Sequence, residues 1–309
     1  MLETIYSVLP ILALFVIGYV LKRIHFFTPH AVGEMKKLVT YIALPMLLFQ
    51  AFASIEVEPK YLILVVVVFF SCVLMVTLGR LLSRPVRMNT PYFAFMMGGF
   101  EMGMLGYALY LGLYGQEHIG KFALADLGQV LFVYFILMVL LIREGGGIST
   151  PKALLKRFIT SPAIIAIFSG LIVSGLKDVV TPGPFLNSVA ELIDMLSGIT
   201  VPLIAITIGF GTSFHKEGLA MSLKTIVVRK IIALIIVLIL NTLVVDRLLG
   251  MGAMYRYALM VMFMLPAPFV IPLFMRNDDK ASMDYVSNTL SLDTVISILL
   301  IVIAAIVYT

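Results

Sequence analysis

The sequence predicts an all-α integral membrane protein in which ten transmembrane helices form two inverted five-helix repeats. Hydrophobic residues make up 61% of the 309 residues and charged residues only 13%, whereas a soluble domain is roughly half apolar and a quarter charged. Three observations carry this prediction: an excess of apolar residues that soluble cores cannot hold, a one-sided distribution of basic residues, and an ordered internal repeat.

The apolar residues fall into continuous runs, each of about the 20 residues that a transmembrane helix needs. In hydrocarbon only helices and closed barrels satisfy the backbone, and barrel strands would alternate apolar and polar residues. The first run lacks the basic start and the small-residue cleavage site of a signal peptide, so it is predicted to be the first transmembrane helix. The ten predicted spans are 3–21, 35–54, 60–82, 91–114, 120–142, 159–177, 186–211, 223–245, 254–275 and 287–308.

The basic residues are concentrated in the loops that follow odd-numbered spans, together with the adjoining helix ends. These loops hold most of the 22 Lys and Arg residues. Because cytoplasmic loops carry the excess of Lys and Arg, the pattern predicts that both termini lie on the extracytoplasmic side. The membrane is expected to be the cell membrane, that is, an inner or plasma membrane. The same asymmetry explains the net charge of +5, which therefore does not indicate a nucleic-acid partner.

Matching residues recur in the same order in the two halves of the chain. Two five-span halves have opposite orientations because five is odd, so the repeats are inverted, as is typical of secondary transporters. The first repeat covers 1–142 and the second 159–309, and a cytoplasmic linker at 143–158 joins them. The matched pairs are Pro10 with Pro162, Gly18 with Gly170, Pro45 with Pro202, Asp126 with Asp293, and Gly98-Gly99 with Leu265-Pro266.

Spans four and nine are each interrupted near the middle. Prolines remove backbone donors and clash with the preceding turn, and an unwound helix is tolerated in a membrane only where it is buried or lines a wet cavity. We therefore expect the two breaks to face each other, with half-helix N-termini that favour an anionic substrate group. The residues that mark the breaks are Gly98, Gly99, Gly103 and Gly106 in span four, and Pro266, Pro268 and Pro272 in span nine.

Several polar residues lie within the predicted spans. Glu101 lies in the first break, where a carboxyl group is costly and indicates function; it could carry a proton, pair with a cation, or be structural. Asp126 and Asp293 could act in function or in structure, with Gln129, Asn288 and Ser291 as their polar neighbours. Arg229 and Lys230 are expected to begin span eight at the inner surface and to extend their charges into water.

The chain shows no nucleotide-binding, nucleophile or zinc-protease motif. Its four histidines have no metal-ligand spacing, and its single cysteine, Cys72, excludes an intramolecular disulfide. We therefore predict that the protein is not an enzyme and has no metal or cofactor. Its expected partners are the lipid bilayer and a small-molecule substrate.

Motifs in the two halves resemble those of the auxin efflux carrier family of membrane transporters. The resemblance covers all ten spans. It implies a fold like those of bile-acid sodium symporters and sodium/proton antiporters, with a scaffold domain (spans 1, 2, 6 and 7) and a transport core (spans 3–5 and 8–10) that moves as an elevator. Homodimers are common in such folds. The motifs are Tyr-Ile-Ala-Leu-Pro-Met-Leu-Leu-Phe at 41–49, Val-Pro-Leu-Ile-Ala-Ile-Thr-Ile-Gly at 201–209, Gly-Met-Leu-Gly at 103–106, Asp-Leu-Gly-Gln at 126–129 and the proline-rich second break.

The resemblance implies secondary active transport of a small organic anion, such as a malate- or malonate-like carboxylate or an auxin-like acid. Coupling to a proton through Glu101 is favoured, with sodium as the alternative ion. The family usually has Asn where Glu101 stands and Pro where Ala108 stands. The carboxylate leaves open a cationic or zwitterionic substrate, and a non-transporting membrane sensor on the same fold is a further alternative.

Overall fold

A computed structural model describes residues 2–55, 58–147, 150–176, 183–211, 218–275 and 279–308. Regular secondary structure within these residues is helical throughout, and they contain no strand. The helices of the first half are α1 (Leu2–Arg23), α2 (Pro29–Ala53), α3 (Pro59–Ser83), α4 (Pro91–Phe95), α5 (Met102–Tyr114) and α6 (Gln116–Glu144). Those of the second half are α7 (Pro151–Ile159), α8 (Pro162–Leu176), α9 (Pro184–Gly211), α10 (Leu219–Leu248), α11 (Ala253–Met264), α12 (Ile271–Phe274) and α13 (Lys280–Tyr308).

Six helices of the described chain are long and apolar enough to cross a membrane: α2, α3, α6, α9, α10 and α13. Helices α7 and α8, which meet at a 60° bend, would together make a seventh. Two shorter apolar helices, α5 and α11, adjoin the interrupted segments. The described part of the chain is thus all-helical with several candidate membrane spans, as the sequence predicts. The count of ten spans and their inversion stay predictions.

Large apolar side chains cover much of the outer surface. On α3, for example, Leu62 is 68% exposed and Phe70 is 60% exposed. A soluble protein seldom exposes so many large apolar groups, whereas a bilayer is a favourable solvent for them. The surface therefore explains the apolar excess of the composition.

The pairing of helices is similar in the two halves. Helix α1 packs along the second part of α9, and α8 packs along the second part of α2. Helices α3 and α6 form a further pair, and α10 packs against α13. Small residues allow the first two pairs to approach closely, because a Cβ atom on Gly18 would overlap the Ile206 carbonyl and one on Gly170 would lie 2.6 Å from the Phe49 carbonyl oxygen.

The chain leaves helical geometry between α4 and α5, and again between α11 and α12. We call these segments the first break (residues 96–101) and the second break (residues 265–270). Gly99 in the first break has a φ of +77°, which glycine adopts without strain, and a Cβ atom there would lie 2.9 Å from Pro268. The breaks lie against each other, since the Glu101 amide donates to the Pro266 carbonyl over 2.9 Å.

Candidate functional site

The Glu101 carboxylate joins the two breaks. Its Oε1 accepts a hydrogen bond from the Met104 amide at 2.9 Å, and its Oε2 accepts one from the Phe269 amide at 2.6 Å. The residue is 8% exposed and caps the N-terminus of α5, which begins with a π-helical turn. A carboxylate is favourable there because the partial positive charge of a helix N-terminus attracts it.

Arg229 of α10 is buried at the crossing. Its side chain is 1% exposed, and the guanidinium lies 5.1 Å from the centre of the Phe100 ring. The expectation that this residue reaches water is wrong, because α10 begins at Leu219 and places Arg229 more than two turns inside the helix. Its guanidinium donates to carbonyls of both breaks: Met96 at 2.5 Å, Met97 at 2.6 Å, Gly99 at 2.6 Å and Leu265 at 3.3 Å.

The Lys230 side chain points to the second break. The expectation that it reaches water is therefore also wrong. Its ammonium donates to the Met264 carbonyl at 2.7 Å and to the Leu265 carbonyl at 3.1 Å. It also lies 2.7 Å from Asp293 Oδ1, while Arg229 Nε lies 3.6 Å from Asp293 Oδ2. Asp293 is therefore the buried counter-ion of two cations that hold the breaks. Sequence analysis missed both cations as site residues.

Asp126 has a different environment from Asp293, its predicted repeat partner. It accepts a hydrogen bond from the Tyr107 hydroxyl at 2.9 Å and one from Gln129 Nε2 at 3.2 Å. Gln129 is 5% exposed, and its Oε1 has no hydrogen-bond partner within the described chain. The aspartates of the two halves thus have unlike partners, neutral donors at Asp126 and two cations at Asp293.

One cavity, of about 260 Å³, adjoins the first break; we call it the carboxylate cavity. It lies between α2 and α8 on one side and α6 with both breaks on the other. Most of its lining is apolar, and no Lys, Arg or His is among the described residues that line it. Its polar lining consists of Glu101, Tyr107, Asp126, Gln129, Tyr134 and Ser161.

A second cavity, of about 300 Å³, lies against the other side of the crossing; we call it the lysine cavity. Lys36 of α2 lines it, and its ammonium is attracted by the Glu101 carboxylate. Sequence analysis missed Lys36, because a lysine near a helix end resembles an ordinary topological charge. The other lining residues are Met104, Ile208, Gly211, Phe269, Pro272, Ser287, Leu290, Ser291 and Thr294.

The predicted site residues separate into three groups. Glu101, Gly103, Asp126, Gln129 and Pro268 line the carboxylate cavity, whereas Pro272 and Ser291 line the lysine cavity. The others line neither cavity. Gly98 packs against α3, and Gly106 packs against Leu265. Gly99 lies in the first break and Pro266 in the second. Asn288 and Asp293 are buried in α13.

A sequence model of a transporter family, described as "Membrane transport protein", matches residues 4–305. The chain belongs to this family. The resemblance to the auxin efflux carrier family is thereby confirmed, and the protein is a multi-pass membrane transporter of that family. The described residues of this carrier contain no cluster of three or more His, Cys, Asp or Glu side chains that could hold a metal ion.

Two relatives of this auxin efflux carrier family member are archaeal. An uncharacterized transporter of Methanocaldococcus jannaschii is 29% identical over 217 residues, which cover 67% of this chain and 68% of the relative. An uncharacterized transporter of Methanothermobacter thermautotrophicus is 26% identical over 220 residues, which cover 68% of each chain. Neither description names a substrate, so the substrate must be argued from the site.

Replacing Tyr107 by phenylalanine is expected to lower the free energy of unfolding of the carrier by about 1.5–3 kcal/mol. The buried Asp126 carboxylate would lose its hydroxyl donor and keep only the Gln129 amide. Chemical or thermal unfolding in detergent measures the change. Tyr134→Phe is the matched control, since Tyr134 lines the same cavity and its hydroxyl makes no hydrogen bond within the described residues. Equal losses in the two variants would contradict the assigned bond.

Proposed function

We propose that the protein is a secondary active transporter of a small organic anion that works by elevator-type alternating access. The anion would be a carboxylate of the malate or malonate kind, or an auxin-like acid. The observation that carries the proposal is the lysine cavity, which places one ammonium and three hydroxyl groups beside two broken helices. Transporters commonly bind their substrates at such discontinuous helices.

The lysine cavity suits a small anion. The Lys36 ammonium would supply the counter-charge, and the hydroxyls of Ser287 and Ser291 would supply neutral donors. The Thr294 hydroxyl already donates to the Leu290 carbonyl at 2.7 Å. Hydrogen bonds between charged groups and such donors are stronger than neutral ones. A volume of about 300 Å³ lies at the lower end of the range for ligand pockets, which favours a small metabolite.

The helix contacts support an inverted repeat of ten spans. The spacing that relates Pro10 to Pro162 also relates Gly18 to Gly170, and the spacing that relates Pro45 to Pro202 also relates Phe49 to Ile206. Gly18 packs on the Ile206 carbonyl, and Gly170 packs on the Phe49 carbonyl. The same contact therefore occurs twice with the halves exchanged, as a two-fold axis between inverted repeats requires.

The position of the cavities supports relative movement of two domains. Helices α2 and α9, of the proposed scaffold, form one wall of the lysine cavity, and α5, the second break and α13, of the proposed core, form the other. A displacement of the core along the scaffold would carry the breaks past Lys36 and change which membrane face the cavity meets. The charge distribution of the loops supports a cell-membrane orientation with both termini outside. A homodimer is proposed from the resemblance alone.

Coupling to a cation would offset the charge of the transported anion. A proton is the favoured ion and sodium the alternative, with Glu101 and Asp126 of the carboxylate cavity as the candidate acceptors. The same cavity favours a second candidate function, transport of a cationic or zwitterionic substrate. Two carboxylates and no Lys, Arg or His line it among the described residues, so it is suited to a positively charged group.

Ligand-dependent stability of purified Lys36→Gln and Lys37→Gln variants separates these functions. A ligand that binds the native state raises the melting temperature. We expect one carboxylate from a panel of mono- and dicarboxylates, aromatic acids, amino acids and organic cations to stabilise the wild-type protein. We expect its affinity to fall roughly 10- to 100-fold in Lys36→Gln, which loses the charged donor.

Lys37→Gln is the matched control and should bind the carboxylate like the wild type. Lys37 neighbours Lys36 but points to Glu34, 2.8 Å away on the exposed side of α2. Uptake of the same carboxylate into proteoliposomes then tests transport. Stabilisation by organic cations alone, unaffected by Lys36→Gln, would contradict the anion proposal and support the second candidate.

A further inference from the structure

The Glu101 carboxylate occupies a complete anion-binding position. Amide groups from two separate segments, Met104 in α5 and Phe269 in the second break, converge on its two oxygens at 2.9 and 2.6 Å. The shorter distance is that of a charge-assisted hydrogen bond. Helix α5, from Met102 to Tyr114, is long enough to add the partial positive charge of its N-terminus. These are the features of a site for a free carboxylate, and a residue of the chain fills it.

On the side of the carboxylate cavity, the groups around this position indicate that a free anion does not share it. In the carboxylate cavity the neighbours of Glu101 are Asp126 and the buried, unpaired Oε1 of Gln129, both acceptors. On the side of the lysine cavity, Lys36 attracts the Glu101 carboxylate itself. The two buried cations of the crossing are committed elsewhere. Arg229 donates to four backbone carbonyls and faces Asp293, and Lys230 binds Asp293 together with two carbonyls.

We propose that Glu101 is an internal anionic ligand of the helix crossing and determines its charge selectivity. Its carboxylate takes the place of a free carboxylate at the Met104 and Phe269 amides, so the crossing of the wild-type protein binds no free anion. On the proposed anion function, this residue restricts the transported carboxylate to the lysine cavity. Removing the Glu101 side chain beyond Cβ creates a vacant site for a small carboxylate, of which formate is the simplest.

Two substitutions distinguish formate binding at the vacant site from a general loss of stability. Glu101→Ala leaves both part-buried amide donors without their acceptor, beside an empty volume that a formate ion could occupy. Glu101→Gln fills that volume with an uncharged side chain. Its carbonyl oxygen accepts from only one amide, and its NH₂ group cannot accept from the other. Both variants should melt below the wild type, but only Glu101→Ala should have room for formate.

The experiment is a melting-temperature titration of the wild type, Glu101→Ala and Glu101→Gln with sodium formate. Sodium chloride at equal ionic strength controls for salt, and formamide controls for a neutral molecule of the same shape. We expect a saturable upward shift with formate in Glu101→Ala alone, and no comparable shift with chloride or formamide. Equal formate responses in the three proteins, or restoration of Glu101→Ala by formamide as well as by formate, would overturn the proposal.

An infrared measurement keeps the proposal testable if Glu101→Ala does not fold. The difference spectrum of wild type minus Glu101→Gln isolates the vibration of the Glu101 side chain. In the resting protein at neutral pH, before any coupled proton is taken up, an internal anionic ligand requires the stretching bands of an ionised carboxylate. A carboxylic acid band in their place would overturn the proposal. Neither measurement depends on the transported substrate. Failure here therefore leaves the Lys36→Gln result standing, and failure of the anion function leaves the formate result standing.

Discussion

Arg229→Met is expected to lower the free energy of unfolding by about 3–5 kcal/mol, among the largest effects of any single substitution in this carrier. The guanidinium donates to carbonyls of both breaks, and its Nε lies 3.6 Å from Asp293 Oδ2. Methionine fills much of the volume but leaves the first-break carbonyls of Met96, Met97 and Gly99 without the guanidinium donor. Asp293 keeps one cation in place of two. Unfolding in detergent, followed by circular dichroism, measures the loss. Transport should fall with it, because the breaks lose one of the groups that hold them together.

A control and a double-mutant cycle give this prediction its specificity. Arg80→Met removes an exposed arginine of α3 and should change stability by no more than about 0.5 kcal/mol. Combining Arg229→Met with Asp293→Asn should show a coupling of about 0.5–3 kcal/mol, since the second change removes the carboxylate that the first deprives of a partner. Strict additivity of the two losses, or a small effect of Arg229→Met, would mean that this ion pair does not hold the crossing.

The long helices could be predicted from the sequence because apolar runs determine them directly. The run at 60–82 corresponds to Pro59–Ser83, and the predicted first break falls where α4 ends at Phe95. The start of α10 was harder to place. A lysine and an arginine near the beginning of an apolar run usually face water, and nothing local indicates that Leu219 already belongs to the helix. The burial of Arg229 follows from that start.

The role of Glu101 could be predicted only in part. A carboxyl group inside a broken span is costly, so the sequence indicates a function for Glu101 while leaving a structural role open. Its bonding was hidden because the two amide donors are 3 and 168 residues away along the chain. Glutamate is also not a preferred helix N-cap residue, so no local signal identified the cap. Only the meeting of the two breaks brings both donors to one carboxylate.

The two glycine contacts that relate the halves lead to the other large expected effect. The double variant Gly18→Ala/Gly170→Ala should lose about 2–6 kcal/mol of stability. Each new Cβ atom overpacks a contact with a backbone carbonyl, at a cost of about 1–3 kcal/mol, and distant sites add. Unfolding of the single and double variants in detergent measures this. Gly175→Ala, on the same helix as Gly170, has no neighbouring atom within 4 Å of the new Cβ and should be neutral or slightly stabilising.

The comparison between the two single variants tests the architecture as well as the packing. If α1 with α9 and α8 with α2 are equivalent interfaces of inverted repeats, Gly18→Ala and Gly170→Ala should lose similar amounts of stability. Both interfaces lie within the proposed scaffold, so neither variant should change the affinity for the anion as Lys36→Gln does. A large loss of stability in one variant and none in the other would show that the two interfaces are not equivalent. The glycine variants would then lower stability without changing ligand affinity, because the contacts that join the scaffold helices are not the contacts that bind the substrate.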